Sequence, residues 1–408
     1  MQKGLISGLN DEDADVRLEF GLARAEVAQR AAATAIAARF AAIDATLREA
    51  RDHPELYLSP AFRGDDAAEF AERSAAADLA VRLRMSESTI RSEALRAGVL
   101  RGSLPTIWTA FRDGDITPAN AQAAADFALA LPEGAARTAF DDALLGLAQT
   151  LVPARFRERA RRVRDELDGT PAGDRHSAAL TERRVWLENG SEGMCWLTAH
   201  LAADDGHRIM ARLDAAAAHL ARAADEQRTT GQLRADVTVD LLLSGEAASV
   251  PAVTATVAVT VPVLTLLGAA ELPGTLEGFG PIDADTARRL AAHAPSFQRI
   301  LTHPITGTIL DIDRRSYRPT ADLKRWLGLR DELCTFAGCG RRAADCDLDH
   351  RVAWADGGRT SVDNLAHLCR HHHRLKHEGG WRSERAAAGG SRWTSPTGAV
   401  HDPDPPPF

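Results

Sequence analysis

The sequence predicts a multidomain α+β chain, on three observations. Residues from about 15 to 168 hold a helical periodicity throughout. From about Arg183 to Asp313, period-two stretches rich in β-branched residues alternate with helical ones. Beyond about Arg318 come short strands, a Gly-rich loop and a short helix, crowded with Cys and His. A chain of 408 residues, 45% hydrophobic and 26% charged, is long enough for two or three domains with cores of their own. The divisions that follow are a helical region over 1–168, a mixed α/β region over 183–313, a compact module over 318–385, and a hairpin with a disordered Pro- and Asp-rich tail over 386–408.

The first region opens on the Ala-rich amphipathic stretch "EFGLARAEVAQRAAATAIAARFAAIDATLREARD". A loop around "ELYLSPAFRGDD" separates it from shorter helices. "AAADLAVRLRMSESTIRSEALRAGVL" reads as helix, turn at Met85–Ser86, and a second helix capped by Ser86. In "FRDGDITPANAQAAADFALALP", Gly114 ends one helix, Thr117 caps the next and Pro118 occupies its first turn. The first pair has the outline of a DNA-reading helix-turn-helix, with Arg82, Arg84, Arg91 and Arg96 as phosphate contacts. A plain packing hairpin is the commoner use of that outline, and no Asn or Gln stands at the start of the second helix to read a base.

In the middle region, "RRVWLENGSEGMCWLTAHL" predicts two strands around Asn189–Gly190. Two helices follow, "ADDGHRIMARLDAAAAHLARAAD" and "LRADVTVDLLLSG". The uncharged run Val250–Ala270 is long enough to cross a bilayer, but its four threonines, Pro251 and Pro262 and its Val/Thr alternation predict buried strands. "ELPGTLEGFGPI" reads as a loop, "DADTARRLAAHA" as a helix and "TGTILDIDRR" as strands. His207, His293 and His303 are isolated from one another and read as core or surface histidines. No nucleophile–base pair, phosphate loop or dinucleotide fingerprint is found here.

The N-terminus has no apolar segment with a cleavage site, and the expected location is the cytoplasm, with no membrane contact. Five cysteines in such a chain favour metal ligation over a disulfide framework. The net charge of −8 confines any grip on nucleic acid to a local patch.

That patch is the C-terminal module, where six histidines lie between His350 and His377. Cys334 and Cys339 form C-x4-C, and Cys369 and His372 form C-x2-H. Two such knuckles are the pattern of a closed tetrahedral Zn²⁺ site. His371 is the alternative to His372, and Cys346 is either a spare ligand or a buried thiol. "CDLDHRVAW" and "LAHLC" predict a pair of strands joined by the loop "ADGGRTSVDN", and "RHHHRLKH" predicts the helix after them. Strand, loop, strand and helix bring Asp349, His350, Asn364 and His373 toward one point. The segment from about Leu323 to Trp381 has few large apolar residues and is expected to depend on zinc, and a fragment from about Arg318 to the C-terminus is expected to fold on its own with zinc.

Asp349-His350, Asn364 fourteen residues on and His373 nine further, interleaved with the two knuckles, resemble the HNH nuclease motif on its ββα-metal fold. The lead-in "YRPTADLKRWLGLRDELCTFAGC", with "SEGMCWLTAHLAADDG" and "GPIDADTARRLAA", resembles the domain of unknown function 222 that precedes this module in bacterial proteins. The resemblance implies an endonuclease acting on DNA. Asp349 and His373 would hold one divalent ion (Mg²⁺, Mn²⁺, Ni²⁺ or Zn²⁺) against the scissile phosphate. His350 would be the general base, and Asn364 would complete the metal shell or orient His350 and the loop. His377, one turn beyond His373, is a further ligand or substrate contact, or simply exposed, and exposure is the expectation. Arg351, Arg359, Arg370, Arg374 and Lys376, with Arg341 and Arg342, would grip nucleic acid. The alternative is a non-catalytic zinc module that binds nucleic acid or regulates. The sequence does not specify an oligomeric state.

Overall fold

The computed structural model describes residues 5–223, 225–244, 259–276, 279–292, 319, 321–386 and 390–402. They form two compact units, Met1–Gly169 with Asp311–Phe408, and Thr170–Leu310.

The first unit begins with α1 (Leu5–Asp52), 48 residues long. Its Ala content favours helix, and Ala33, Ala37, Phe40, Ile43, Leu47 and Ala50 form the buried stripe that holds it to a core. A 3-10 turn and a loop lead to α2 (Ala67–Leu83). Next is α3 (Glu87–Ser103), whose Ser86 Oγ accepts from Thr89 N at 3.1 Å, the cap that the sequence predicts. Gly114, at φ +79°, closes α4 (Pro105–Arg112). Thr117 then caps α5 (Pro118–Ala128), accepting from Asn120 N at 3.2 Å. The bundle finishes with α6 (Ala135–Thr150) and α7 (Pro153–Leu167). Asp141 of α6 caps α4 from a distance, accepting from Thr106 N at 2.9 Å and Ile107 N at 3.1 Å. Of the four arginines offered to DNA phosphates, Arg82 and Arg96 are paired with Asp78 and Asp126, both at 2.8 Å.

The second unit holds α8 (Ala172–Leu180), then the predicted hairpin β1 (Arg184–Asn189) and β2 (Cys195–His200). After it come α9 (Ala203–Leu220), with an exposed His207, and α10 (Thr230–Ser244). Two readings of this region change. Only β3 (Val259–Thr260) of the Val/Thr run is a described strand; α11 (Val263–Leu266) follows as a single helical turn behind Pro262, where a missing N–H costs nothing. "ELPGTLEGFGPI" is not plain loop but carries β4 (Gly274–Leu276) and β5 (Gly280–Ile282), which join β3 in an antiparallel sheet. Strands of two or three residues are too short for alternation to show. The last element is α12 (Ala284–Ala292). The expectations for residues 250–258, "TGTILDIDRR", His293, His303 and the final tail lie outside the described residues. Among the described residues, no helix is long and apolar enough to cross a membrane.

The chain re-enters the first unit with α13 (Ala321–Asp331), β6 (Asp347–His350), β7 (Leu365–Leu368) and α14 (Arg370–Glu378). A small antiparallel sheet follows: β8 (Arg382–Arg385), β9 (Ser391–Thr394) and β10 (Val400–His401). The module expected to fold on its own shares a core with α2. Its core of Phe336, Leu368, Leu375, Trp381 and Trp393 includes Phe70 and Ala77 of α2. Trp381 Nε1 donates to the buried Ser74 Oγ at 2.9 Å, and Thr397 Oγ1 donates to Asp78 at 2.6 Å. Too few large apolar residues lie within the module to enclose two tryptophans, and α2 supplies the missing wall.

Candidate active site and its Cys/His cluster

Two sets of side chains meet on α14, one at its start and one along its outer face. Cys369 is the N-cap and His372 the third residue of the helix, so C-x2-H points both donors off the first turn. The C-x4-C turn supplies Cys334 and Cys339, and the ligand atoms of all four residues lie within 4.8 Å of one another. His372 Nδ1 is 3.2 Å from Cys369 Sγ and 3.4 Å from Cys334 Sγ. Phe336 stacks flat on the His372 ring, centroids 3.9 Å apart and planes 6° from parallel. Hydrogen bonds with Cys339 and Cys369 hold the Cys334 thiol well above its ordinary range, while those from Cys334 and Cys339 pull Cys369 well below. Three close sulfurs, two of them buried and that of Cys339 half-buried, with an imidazole nitrogen aimed among them, are the donor chemistry of a soft-ligand cation site.

The two residues left open by the sequence lie outside this set. The Cys346 thiol donates to the Arg342 carbonyl at 3.2 Å. His371 turns the other way, its Nε2 2.9 Å from Glu87 Oε2.

The second set forms where β6 passes α14. Asp349 faces β7 at Ala366 in register and is buried. His373 and His377, four residues apart, share one helix face, with ring centroids at 4.5 Å. Their Nε2 atoms are 3.4 and 2.9 Å from Asp349 Oδ1, and all three residues form a second group able to hold a metal ion. His377 was expected to be merely exposed; it is exposed, yet its ring reaches the carboxylate. Lys376 donates to the other oxygen of Asp349 and to the His350 carbonyl. Burial opposes ionisation of Asp349, but His373, His377 and Lys376 together hold its carboxyl far below the ordinary range.

His350 ends β6, with Nε2 3.0 Å from Thr360 Oγ1 and its ring edge-on to Trp354. Burial lowers its pKa and Lys376 adds to the effect, against the attraction of Asp349. Asn364 clasps the loop between the strands. Its Oδ1 accepts from Val352 N at 2.9 Å, and its Nδ2 donates to the carbonyls of Val352 at 3.0 Å and Arg359 at 2.9 Å. Those bonds account for its amide, so of the two roles foreseen the loop-orienting one has the geometry. Gly358 must be glycine here, because a Cβ would stand 1.8 Å from the Val352 carbonyl oxygen.

Two of the five basic residues expected to meet nucleic acid turn inward. Arg351 donates to Ser391 Oγ at 2.9 Å and the Asp363 carbonyl at 2.7 Å, and the Lys376 side chain is only 9% exposed. Arg359 and Arg370 are exposed, and Arg374 is shared between Glu378, at 2.8 Å, and the face of the Phe70 ring. An open groove of about 570 Å³ runs beside His373, between Arg370 and Arg374 on one side and Arg63 and Gly64 on the other. Sequence reasoning missed Arg63, which stands some three hundred residues before the motif. Only the fold brings the loop after α1 to α14, where Ser59 N donates to the Glu378 carbonyl at 2.8 Å.

Comparison with known proteins finds two family matches, one after the other along the chain. Residues 27–331 match the family described as a domain of unknown function (DUF222), and residues 334–379 match HNH endonuclease. The uncharacterized protein Rv2100 of Mycobacterium tuberculosis (strain ATCC 25618 / H37Rv) is 40% identical over 90 residues, which are 22% of this chain and 16% of that protein. The uncharacterized protein Rv3776 of the same strain is 39% identical over 90 residues, 22% of this chain and 17% of that protein. The chain thus spans about a sixth of the length of these curated relatives. No solved structure matches it. With well over half of its residues in the first match and the HNH endonuclease domain directly behind, the chain belongs to the DUF222 family.

Proposed function

We propose that the protein is a metal-dependent endonuclease that hydrolyses DNA phosphodiester bonds in the cytoplasm. The observation that carries this reading is the convergence of Asp349, His373 and His377 inside the segment that matches HNH endonuclease. One carboxylate oxygen and two imidazole nitrogens, on a partly exposed face, suit Mg²⁺, Mn²⁺, Ni²⁺ or Zn²⁺. Cys334, Cys339, Cys369 and His372, sulfur-rich and all but Cys339 buried, suit a structural Zn²⁺. A divalent ion bound at Asp349 supplies charge stabilisation to the scissile phosphate and the leaving 3′ oxygen.

His350 takes the proton of the attacking water as a bond forms from water oxygen to phosphorus and the bond to O3′ breaks. Burial keeps its imidazole in the neutral form that this step needs. Thr360 fixes the ring, and Asn364 fixes the loop that carries Thr360. Arg63, Arg370 and Arg374 take backbone phosphates along the groove and the exposed Arg359 takes one outside it, while Arg351 and Lys376 serve the module's own fold.

Incubation of the purified chain with supercoiled plasmid and Mg²⁺, Mn²⁺ or Ni²⁺ tests the proposal. Wild type should nick, and His350→Ala should not while keeping its metal content and DNA affinity. Equal nicking by both removes His350 from the mechanism. One observation favours a non-catalytic zinc module instead: the Lys376 ammonium already neutralises Asp349. DNA binding without cleavage under every metal would decide for that reading.

A further inference from the structure

Glu87 is the first residue of α3, and its carboxylate bridges two histidines of α14 across 285 positions of sequence. Its Oε1 lies 2.7 Å from His372 Nε2 and its Oε2 2.9 Å from His371 Nε2. The side chains of Glu87 and His372 are 16% and 3% exposed. An ionised carboxylate only accepts hydrogen bonds, so the proton of His372 sits on Nε2. Its Nδ1 faces Cys334 and Cys369, and with an ion held there that nitrogen would carry the lone pair. Glu87 stands on the first turn of α3, whose positive end favours the ionised carboxylate.

We infer that Glu87 is a positioning residue for the Cys/His centre, a carboxylate lent by the helical region that sets the tautomer and orientation of His372 and so governs how firmly the centre keeps its ion. The inference rests on the reading of that centre as a zinc site. A metal-ligating imidazole whose other nitrogen donates to a carboxylate is a more basic and better aligned ligand, and loss of such a partner typically weakens metal binding about 10–100-fold. What is particular here is the origin of the carboxylate. It comes from the helix that the sequence offers as a DNA reader, and it ties the metal centre of the nuclease module to the DUF222 region.

The full chain, purified with its zinc, is mixed with excess chromogenic chelator and the release of zinc is timed. Glu87→Ala should release it about 10-fold faster than wild type. Glu87→Gln should fall between, because an amide has one acceptor oxygen for two N–H donors. Ser74→Ala is the control, since it cuts the Trp381 contact in the same interface without touching His372. It should release zinc at the wild-type rate. Nitrogen NMR of the zinc-loaded protein should show His372 protonated at Nε2 in wild type, with that proton exchanging faster in either Glu87 variant. Release at the wild-type rate from a folded Glu87 variant overturns the inference. So does equal acceleration by Ser74→Ala, which reduces Glu87 to a docking contact. A wild-type chain that holds no zinc refutes the underlying reading of the centre, a separate result.

Discussion

Asn364 shows how one side chain can govern a site without touching a reactant. Three hydrogen bonds to the loop backbone, each worth about 1 kcal/mol net, bind residues 352–359 to the start of β7. Asn364→Ala should therefore lower the melting free energy of the module by about 1–3 kcal/mol. Cleavage should fall through a misplaced Thr360 and His350, with metal content unchanged by elemental analysis. Lys376 has a different character. Its ammonium is the nearest cation to a buried carboxylate, and removing one partner of a buried pair costs about 3–5 kcal/mol. Lys376→Met should be destabilised by about that amount in chelator and largely rescued by Mn²⁺. Calorimetry should also show Mn²⁺ binding more tightly than in wild type, since the ion and the ammonium compete for Asp349. Unchanged Mn²⁺ affinity would place the ion elsewhere.

At the scale of elements, α14 is the organising piece. Its N-cap and third residue face the sulfurs, its second and third reach Glu87, and its fourth and eighth face Asp349, so one helix contributes to all three groups that could hold a metal ion among the described residues. Much of this was legible beforehand. The knuckle spacing pointed to Cys334, Cys339 and Cys369 with His372 or its neighbour as one cluster, and strand–loop–strand–helix was readable around "CDLDHRVAW", "LAHLC" and "RHHHRLKH". The choice between His371 and His372 was not legible, because neighbours on a helix differ only by 100° of rotation and the answer lies with Phe336 and Glu87. His377 was undervalued because an exposed ring gives no sign in sequence of the carboxylate it reaches. Cys339→Ser should release the ion, since a structural zinc contributes about 10–16 kcal/mol in small modules. Circular dichroism should then show the module melted while α4–α7 keep their helix signal. Retention of zinc at wild-type stoichiometry would show that the sulfurs are not the ligands.

At the scale of the whole molecule, the module and the helices of the first unit share a core. Composition announced nothing of this, because Phe70, Ser74 and Asp78 look like ordinary positions of an Ala-rich helix until Trp381 and Thr397 arrive more than three hundred residues later. A fragment that begins at Arg318 should expose Phe336, Trp381 and Trp393. It should bind a hydrophobic dye and unfold without a sharp transition even with zinc present, whereas the full chain melts cooperatively. A fragment with a sharp transition and no dye binding would restore the autonomous module.

The bond between Ser74 and Trp381 also sets an order of events in time. On the ribosome, α2 emerges hundreds of residues before the strands and helix that complete its packing, and domains begin to fold as they are made. Phe70, Ser74 and Ala77 must therefore wait as an open seat while the intervening chain is synthesised. The HNH segment is assembled onto a helical frame already in place, so translation that stops before it leaves α2 without its partner. Truncated products then hold the frame and lack Asp349, His350 and His373.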